Sequence, residues 1–227
     1  MVTIIPSLLA KDISTFEEQL KKVWGIVKRV QMDVIDGKFA EIKTVMPEVL
    51  LNIDTIVEFE GHLMVEKPEE WIERCAAAGM TAVYGQIEKM DDPVKFIADA
   101  EDAGMRTGLA YDIDTPILGL EKYIDNIDVV LLMSVKAGDQ GRKFDNLVLD
   151  KIKEVRKLSK TITIEVDGGL NVENIKKCLV AEWAEEISED EFDKSFMGME
   201  FVVGSDLLEA IDVKVELKKL EYLGANI

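Results

Sequence analysis

The chain has 227 residues, 48% of them hydrophobic, with 45 acidic against 27 basic side chains and a formal net charge of −18. That length suits one large domain or two small ones with a substantial core. The charge excludes a general binder of phosphate backbones, so no nucleic-acid partner is expected, while a small phosphorylated ligand in a local pocket stays compatible.

Ile4 to Leu9 is a short apolar run and the first predicted strand. Ser14-Thr15-Phe16-Glu17 matches a capping box with Ser14 as N-cap, and Phe16, Leu20 and Val23 continue at helical spacing. Lys28 to Ile35 reads as the second strand and runs into Asp36-Gly37. Its apolar neighbours mean that an inward-pointing carboxylate there is desolvated, and so paired, metal-bound or reactive. Alternation puts Gln31 and Asp33 on one face and leaves Asp36 to the turn.

Val45 to Ile53 is predicted as a short helix, and Thr55 to Met64 as the third strand, which delivers His62, the one histidine of the chain. Pro68 opens a helix that ends at Gly79. Thr81 to Glu88 is the fourth strand. Asp92-Pro93 opens the next helix and Gly104 closes it. Arg106 to Tyr111 is the fifth strand, and Thr115-Pro116 starts a further helix. Val129 to Val135 is the sixth strand, followed by an amphipathic helix from Phe144 to Ser159. Thr161 to Val166 is the seventh. It leads into Asp167-Gly168-Gly169, which repeats the carboxylate-then-glycine ending of the second, and the two ends are expected to face each other across one pocket. Asn171 caps a helix to Trp183, Glu200 to Val203 begins the eighth strand, and Asp212 to Leu223 is the closing helix.

Eight apolar strands alternating with helices in this length predict a (β/α)₈ TIM barrel forming a single domain over residues 1–227. A doubly wound sheet is the alternative. An acidic insertion near 184–198 interrupts the rhythm before the eighth strand; a solvated segment is the plain expectation and a partner or subunit contact the other. Cys75 and Cys178 fall in helical patterns and read as buried free thiols. The first residues lack the basic-then-apolar pattern of an export signal, and no run of 18 apolar residues occurs, so a cytoplasmic protein with no membrane partner is expected.

In such a barrel the chemistry collects at the strand C-termini. That places Ser7, Gln31, Asp33, His62, Met64, Gln86, Glu88, Met133, Ser134, Asp167 and the loop from Gly138 to Lys143 together. Asp33 and Asp167 suit paired acid/base work on a carbon next to a carbonyl, which needs a metal or preorganised donors to stabilise the enediolate. His62 with the two aspartates can hold a divalent metal. Gly168-Gly169 and Gly204-Ser205 are glycine turns where barrels bind phosphate.

The segments Ile5-Pro6-Ser7-Leu8-Leu9-Ala10, Met32-Asp33-Val34-Ile35-Asp36-Gly37, His62-Leu63-Met64-Val65, Leu132-Met133-Ser134-Val135 and Glu165-Val166-Asp167-Gly168-Gly169-Leu170-Asn171 resemble the ribulose-phosphate 3-epimerase family along nearly the whole chain. The resemblance implies a barrel isomerase of the pentose phosphate pathway that interconverts ribulose 5-phosphate and xylulose 5-phosphate. It implies Asp33 and Asp167 as the acid/base pair, a substrate contact at Ser7, and Met64 and Met133 capping the bound intermediate. His62 is counted among the substrate-binding positions, as are Gly168, Gly169, Gly204 and Ser205 at the phosphate. The family's divalent metal, often zinc, is held by two histidines and the two aspartates. Here the first histidine aligns with Gln31, so Asp33, His62 and Asp167 remain, with Gln31 as an optional fourth ligand. Zinc, manganese, magnesium, iron or no metal all stay open. A further family histidine aligns with Gln86. The phosphate loop reads Lys136-Ala137-Gly138-Asp139-Gln140-Gly141-Arg142, with Gly138 and Gly141 expected at the substrate, and Asp206 stands where the family has a small residue. The alternatives are a related sugar-phosphate epimerase, aldolase or decarboxylase of the same barrel superfamily, or a non-catalytic barrel. The family's frequent oligomers leave a homo-oligomer open.

Overall fold

A computed structural model describes residues 2–138, 141–183 and 198–225. The apolar runs become eight parallel strands: β1 (Thr3–Leu8), β2 (Arg29–Ile35), β3 (Glu58–Met64), β4 (Ala82–Gln86), β5 (Arg106–Tyr111), β6 (Val129–Met133), β7 (Thr163–Asp167) and β8 (Met199–Val203). Each pairs with its sequence neighbours, and β8 pairs back onto β1, closing the barrel expected from the alternation. Helices follow the strands: α1 (Ile13–Val23), α2 (Ile72–Ala77), α3 (Pro93–Asp102), α4 (Leu147–Leu158), α5 (Val172–Trp183), α6 (Ser205–Leu208) and α7 (Val213–Glu221). Among the described residues no helix is long and apolar enough to cross a membrane. Apart from Gly198, the acidic insertion near 184–198 lies outside the described residues.

Strand alternation makes two cores. Outward residues such as Met32, Leu63, Val83, Leu132 and Phe201 pack with Phe16, Phe96, Ile152 and Leu179 from the helices. Each such side chain, fully buried, contributes about 1.5–3 kcal/mol of transfer free energy. Inward residues from β3 to β6, including Met64, Tyr84, Ala110, Leu131 and Met133, form a separate apolar cluster within the barrel.

Several predicted boundaries shift for local reasons. The N-cap of α1 is Asp12, not Ser14: Asp12 has extended backbone and its Oδ1 accepts from the Thr15 amide at 2.8 Å. A carboxylate two residues earlier takes the role because it also accepts from the Thr15 hydroxyl and suits the positive helix end. The helix expected over 45–53 is a 3₁₀ segment, Pro47–Asn52. The helix expected from Pro68 splits into a 3₁₀ turn, Pro68–Glu70, and α2. The one expected from Thr115 yields only two 3₁₀ turns, Leu120–Lys122 and Ile124–Asn126, because Gly119 turns left-handed (φ 86°) just before them. β3 starts at Glu58 rather than Thr55, and α4 at Leu147 rather than Phe144. The caps predicted at Asp92 and Asn171 are in place, each accepting the amide three residues on, and Asp212, expected as the first residue of the closing helix, is its N-cap in the same way.

The interior on the β2, β3, β7 and β8 side is charged. Arg29 meets Glu60 at 3.2 Å and Glu200 at 2.7 Å, and Arg106 meets Glu200 at 2.9 Å. Burial pushes Glu60 up to about 7, against the pull of Arg29. Glu165 is fully buried, and neither of its carboxylate oxygens has a hydrogen-bond partner. Burial, then Glu60 and Glu200, raise its pKa well above the ordinary 4.5. Since the folded state holds this proton more tightly than the unfolded state, the stability it contributes is complete below about pH 4.5 and is lost as pH rises through the folded-state value. Glu165→Gln, which fixes the neutral form, is therefore expected to stabilise the fold increasingly from pH 5 to pH 8. Urea denaturation at both values checks this; a loss that grows with pH would contradict it.

Candidate active site

The strand C-termini open onto a cleft of about 620 Å³, counting the space open to solvent. Ser7, Asp33, Met64, Met133, Gly138, Gly141, Asp167, Gly168, Gly169, Gly204 and Ser205 all line it. His62 and Gln31 do not: both are 0% exposed and lie beneath the cleft floor.

On that floor Asp33 and Asp167 come together because β2 and β7 both present every second residue inward. The Ser7 hydroxyl donates to Asp33 Oδ2 at 2.6 Å. The Gln31 amide Nε2 donates to Asp33 Oδ1 at 3.1 Å and to Asp167 Oδ2 at 3.0 Å, bridging the two carboxylates. His62 Nδ1 faces the same two oxygens, 3.3 Å from Asp33 and 3.4 Å from Asp167, at ion-pair range but aligned with neither as a hydrogen bond. Behind it, Gln86 Nε2 lies 2.9 Å from His62 Nε2. With the amide nitrogen there, Nε2 accepts and the ring proton sits on Nδ1, towards the carboxylates; an imidazolium needs Gln86 turned so that its oxygen faces the ring.

Burial works to lower the His62 pKa, but the two carboxylates it faces, Asp167 and Asp33, outweigh it and lift the ring to about 9. Asp167 is raised, first by burial and further by Asp33, against the pull of His62 and Gln31. A carboxylate pair this close shares protons, and Asp167 is the member pushed towards holding one. The third acidic residue, Asp36, stays in the turn as alternation implied: it accepts from the amides of Lys38, Phe39 and Glu66.

The group Asp33, His62 and Asp167 offers ligand atoms that all lie within 4.8 Å of one another and can hold a metal ion. The fit is supported by His62 Nδ1, which faces both carboxylates and is buried with no hydrogen-bond partner among the described residues.

The far end of the cleft is built from backbone. Gly169 (φ 54°) is so close to the β6–α4 loop that an added Cβ would lie 2.7 Å from the Phe144 nitrogen. Gly168 (φ 109°) has the same constraint against Val135, at 2.5 Å. Gly169→Ala is expected to cost about 1–3 kcal/mol of local strain and to raise KM for a phosphorylated substrate about tenfold, with little change in kcat. Steady-state kinetics of the variant test this.

Some supporting residues are not visible from sequence patterns. Thr44 Oγ1 donates to the Asp33 carbonyl at 2.7 Å and accepts from the Ile35 amide at 2.8 Å, pinning the end of β2. Asp112 accepts from the Ala137 amide at 2.9 Å and so anchors the loop that carries Gly138. Glu88 accepts from the Asp112 amide at 2.7 Å instead of facing the cleft. Each contact joins segments distant in sequence, and no local signal marks them. Arg142 and Asp206 line the cleft with opposite charge.

A closed (β/α)₈ barrel with a carboxylate pair and glycine turns at the C-terminal ends of its strands defines the class of barrel enzymes that work from that face. Residues 3–186 match the model of the ribulose-phosphate 3 epimerase family. Ribulose-phosphate 3-epimerase of Bacillus subtilis (strain 168) is 32% identical over 181 residues, covering 76% of this chain and 83% of that protein. The enzyme of the same name from Escherichia coli (strain K12) is 31% identical over 186 residues, covering 78% and 83%. The chain therefore belongs to the ribulose-phosphate 3-epimerase family. Among solved structures, KGPDC from Streptococcus mutans superimposes with a TM-score of 0.69 at 13% identity, covering 100% of this chain and 99% of that one. For 3-hexulose-6-phosphate synthase from Salmonella typhimurium the TM-score is 0.68 at 14% identity, covering 99% of each. These two share the fold.

Proposed function

We propose that a single barrel domain of this chain interconverts D-ribulose 5-phosphate and D-xylulose 5-phosphate by proton transfer at C3 through an enediolate. The observation that carries the reading is the Asp33–Asp167 pair, bridged by one Gln31 amide on the floor of a cleft whose far end is lined with glycine backbone.

The substrate lies with its phosphate at Gly138, Gly141, Gly168, Gly169, Gly204 and Ser205 and its C3 between the carboxylates. Backbone N–H groups there bind the phosphate without adding charge. Asp33, oriented by Ser7, removes the C3 proton from one face. Asp167, pushed towards its protonated form by burial, returns a proton to the other face. The reverse reaction exchanges the roles. Met64 and Met133 supply apolar surface over the reacting carbons and exclude water that would otherwise protonate the enediolate at random. Asp33, His62 and Asp167, with Gln31, would hold a divalent cation, which when bound supplies Lewis-acid stabilisation of the enediolate oxygens. Two carboxylates and an amide oxygen against one imidazole make a harder donor set than one with two imidazoles, and favour manganese or magnesium relative to zinc.

Incubation with ribulose 5-phosphate in deuterated water tests the reading. Deuterium is expected at C3 of both epimers; none at any divalent metal concentration would refute it. A second reading, a related sugar phosphate, is favoured by Asp206, an acidic residue that lines the cleft beside Ser205. Exchange into another phosphorylated ketose faster than into ribulose 5-phosphate would select it.

A further inference from the structure

The cluster beneath the cleft contains two glutamines, and both are in an unusual state. Gln31 and Gln86 are fully buried, each engages the metal-competent group through Nε2, and each leaves Oε1 with no hydrogen-bond partner among the described residues. A buried amide oxygen without a partner is costly, on the order of 1–3 kcal/mol, and a 180° turn of the terminal torsion exchanges the two ends of an amide in the same volume. Turned, Gln31 would present an oxygen where it now presents two N–H bonds, in the space between Asp33 Oδ1, Asp167 Oδ2 and His62 Nδ1.

We propose that Gln31 and Gln86 form a paired amide switch that converts the floor of this site between a cation-free and a cation-bound form. In the cation-free form Gln31 Nε2 takes the place of a positive charge, bridging Asp33 and Asp167, while Gln86 Nε2 donates to His62 and keeps the ring proton on Nδ1. In the cation-bound form Gln31 Oε1 turns in as the fourth ligand, His62 Nδ1 becomes a ligand, and the ring proton passes to Nε2, where it donates to Gln86 Oε1. In the cation-bound form the ring carries its proton on Nε2, and both orphaned oxygens gain partners. The inference rests on the metal-competent reading of the site, and it makes the cation a reversible occupant of this chain because a hydrogen-bonded alternative competes with it.

Direct metal binding to the full chain tests the switch. Mn²⁺ and Zn²⁺ affinities are measured by competition with a chromogenic chelator for the wild type, Gln31→Met and Gln31→His. Gln31→Met removes both ends of the amide at similar volume and is expected to weaken Mn²⁺ binding about tenfold; Gln31→His is expected to tighten Zn²⁺ at least as much. Unchanged or tighter Mn²⁺ binding in Gln31→Met would show that the amide only competes with the cation, and would overturn the proposal. Should Gln31→Met fail to fold, the wild-type protein still decides. Its Gln31 side-chain ¹⁵N amide pair, assigned by its loss in Gln31→His, is expected to move away from its hydrogen-bonded position when Zn²⁺ is added. A pair that does not move, or a wild type that binds neither metal, overturns the switch. In either case deuterium exchange measured with and without added divalent metals judges the epimerase reading separately.

Discussion

Asp167→Asn is expected to lower kcat for epimerisation by about 10³-fold while leaving the far-ultraviolet circular dichroism and thermal transition close to wild type. The substitution keeps the shape of the side chain, and the new amide can still offer its oxygen to Gln31 Nε2, now 3.0 Å from Asp167 Oδ2. What it removes is the proton. Burial and the neighbouring Asp33 raise the Asp167 pKa and so favour it as the proton donor of the pair, and an amide can neither give nor take a proton. The two half-reactions separate as a consequence. In deuterated water, wash-out of the C3 proton facing Asp33 is expected to persist in Asp167→Asn at a small fraction of the wild-type rate, without appearance of the other epimer. Turnover within tenfold of wild type would show that Asp167 is not an acid/base group.

Arg29→Met is expected to destabilise the fold by about 3–5 kcal/mol. Arg29 lies in the barrel interior below the catalytic floor, 3.2 Å from Glu60 and 2.7 Å from Glu200. Glu60 is fully buried. Removing the guanidinium leaves its carboxylate without its main counter-charge, and takes from neighbouring Glu165 one of the two cations, Arg29 and Arg106, that offset its burial. Urea denaturation measures the loss, and the double variant Arg29→Met/Glu60→Gln is expected to recover part of it, since the stranded charge is then gone. A loss below about 1 kcal/mol would class these pairs with solvent-screened surface bridges.

How legible this molecule is from its sequence differs by feature. Asp33 and Asp167 stand out because each lies in or at the end of an apolar strand that runs into a glycine turn, and a period of two assigns Gln31 to the same face as Asp33. The charged plug beneath them did not stand out. Arg29, Arg106 and Glu200 each sit at the start of a strand, where a lone charge reads as solvent-facing, and only closure of the barrel brings β2, β5 and β8 to one interior point. The same applies to depth. His62 could be placed at the cleft end of β3, but its position under the floor follows from the register that sets it beside Asp33 on β2. Helix ends were read correctly where Asp or Asn precedes a clear apolar face, and missed where Asp12 competed with Ser14 or where Gly119 cut a helix short.

The sequence by itself determined the alternation of eight strands and helices and the shared face of Gln31 and Asp33, which are consequences of local periodicity that neighbours two to four residues apart suffice to set; the barrel family was legible through the resemblance of its strand-end motifs. The tertiary structure alone decided which inward residues share a layer, because that depends on the stagger of strands around a closed barrel. It put one Gln31 amide between two carboxylates, gave His62 the same two oxygens to face, and left two buried amide oxygens without partners. In the sequence Gln31 is only the place where a family histidine is missing; in the fold it is the residue that holds the two carboxylates together.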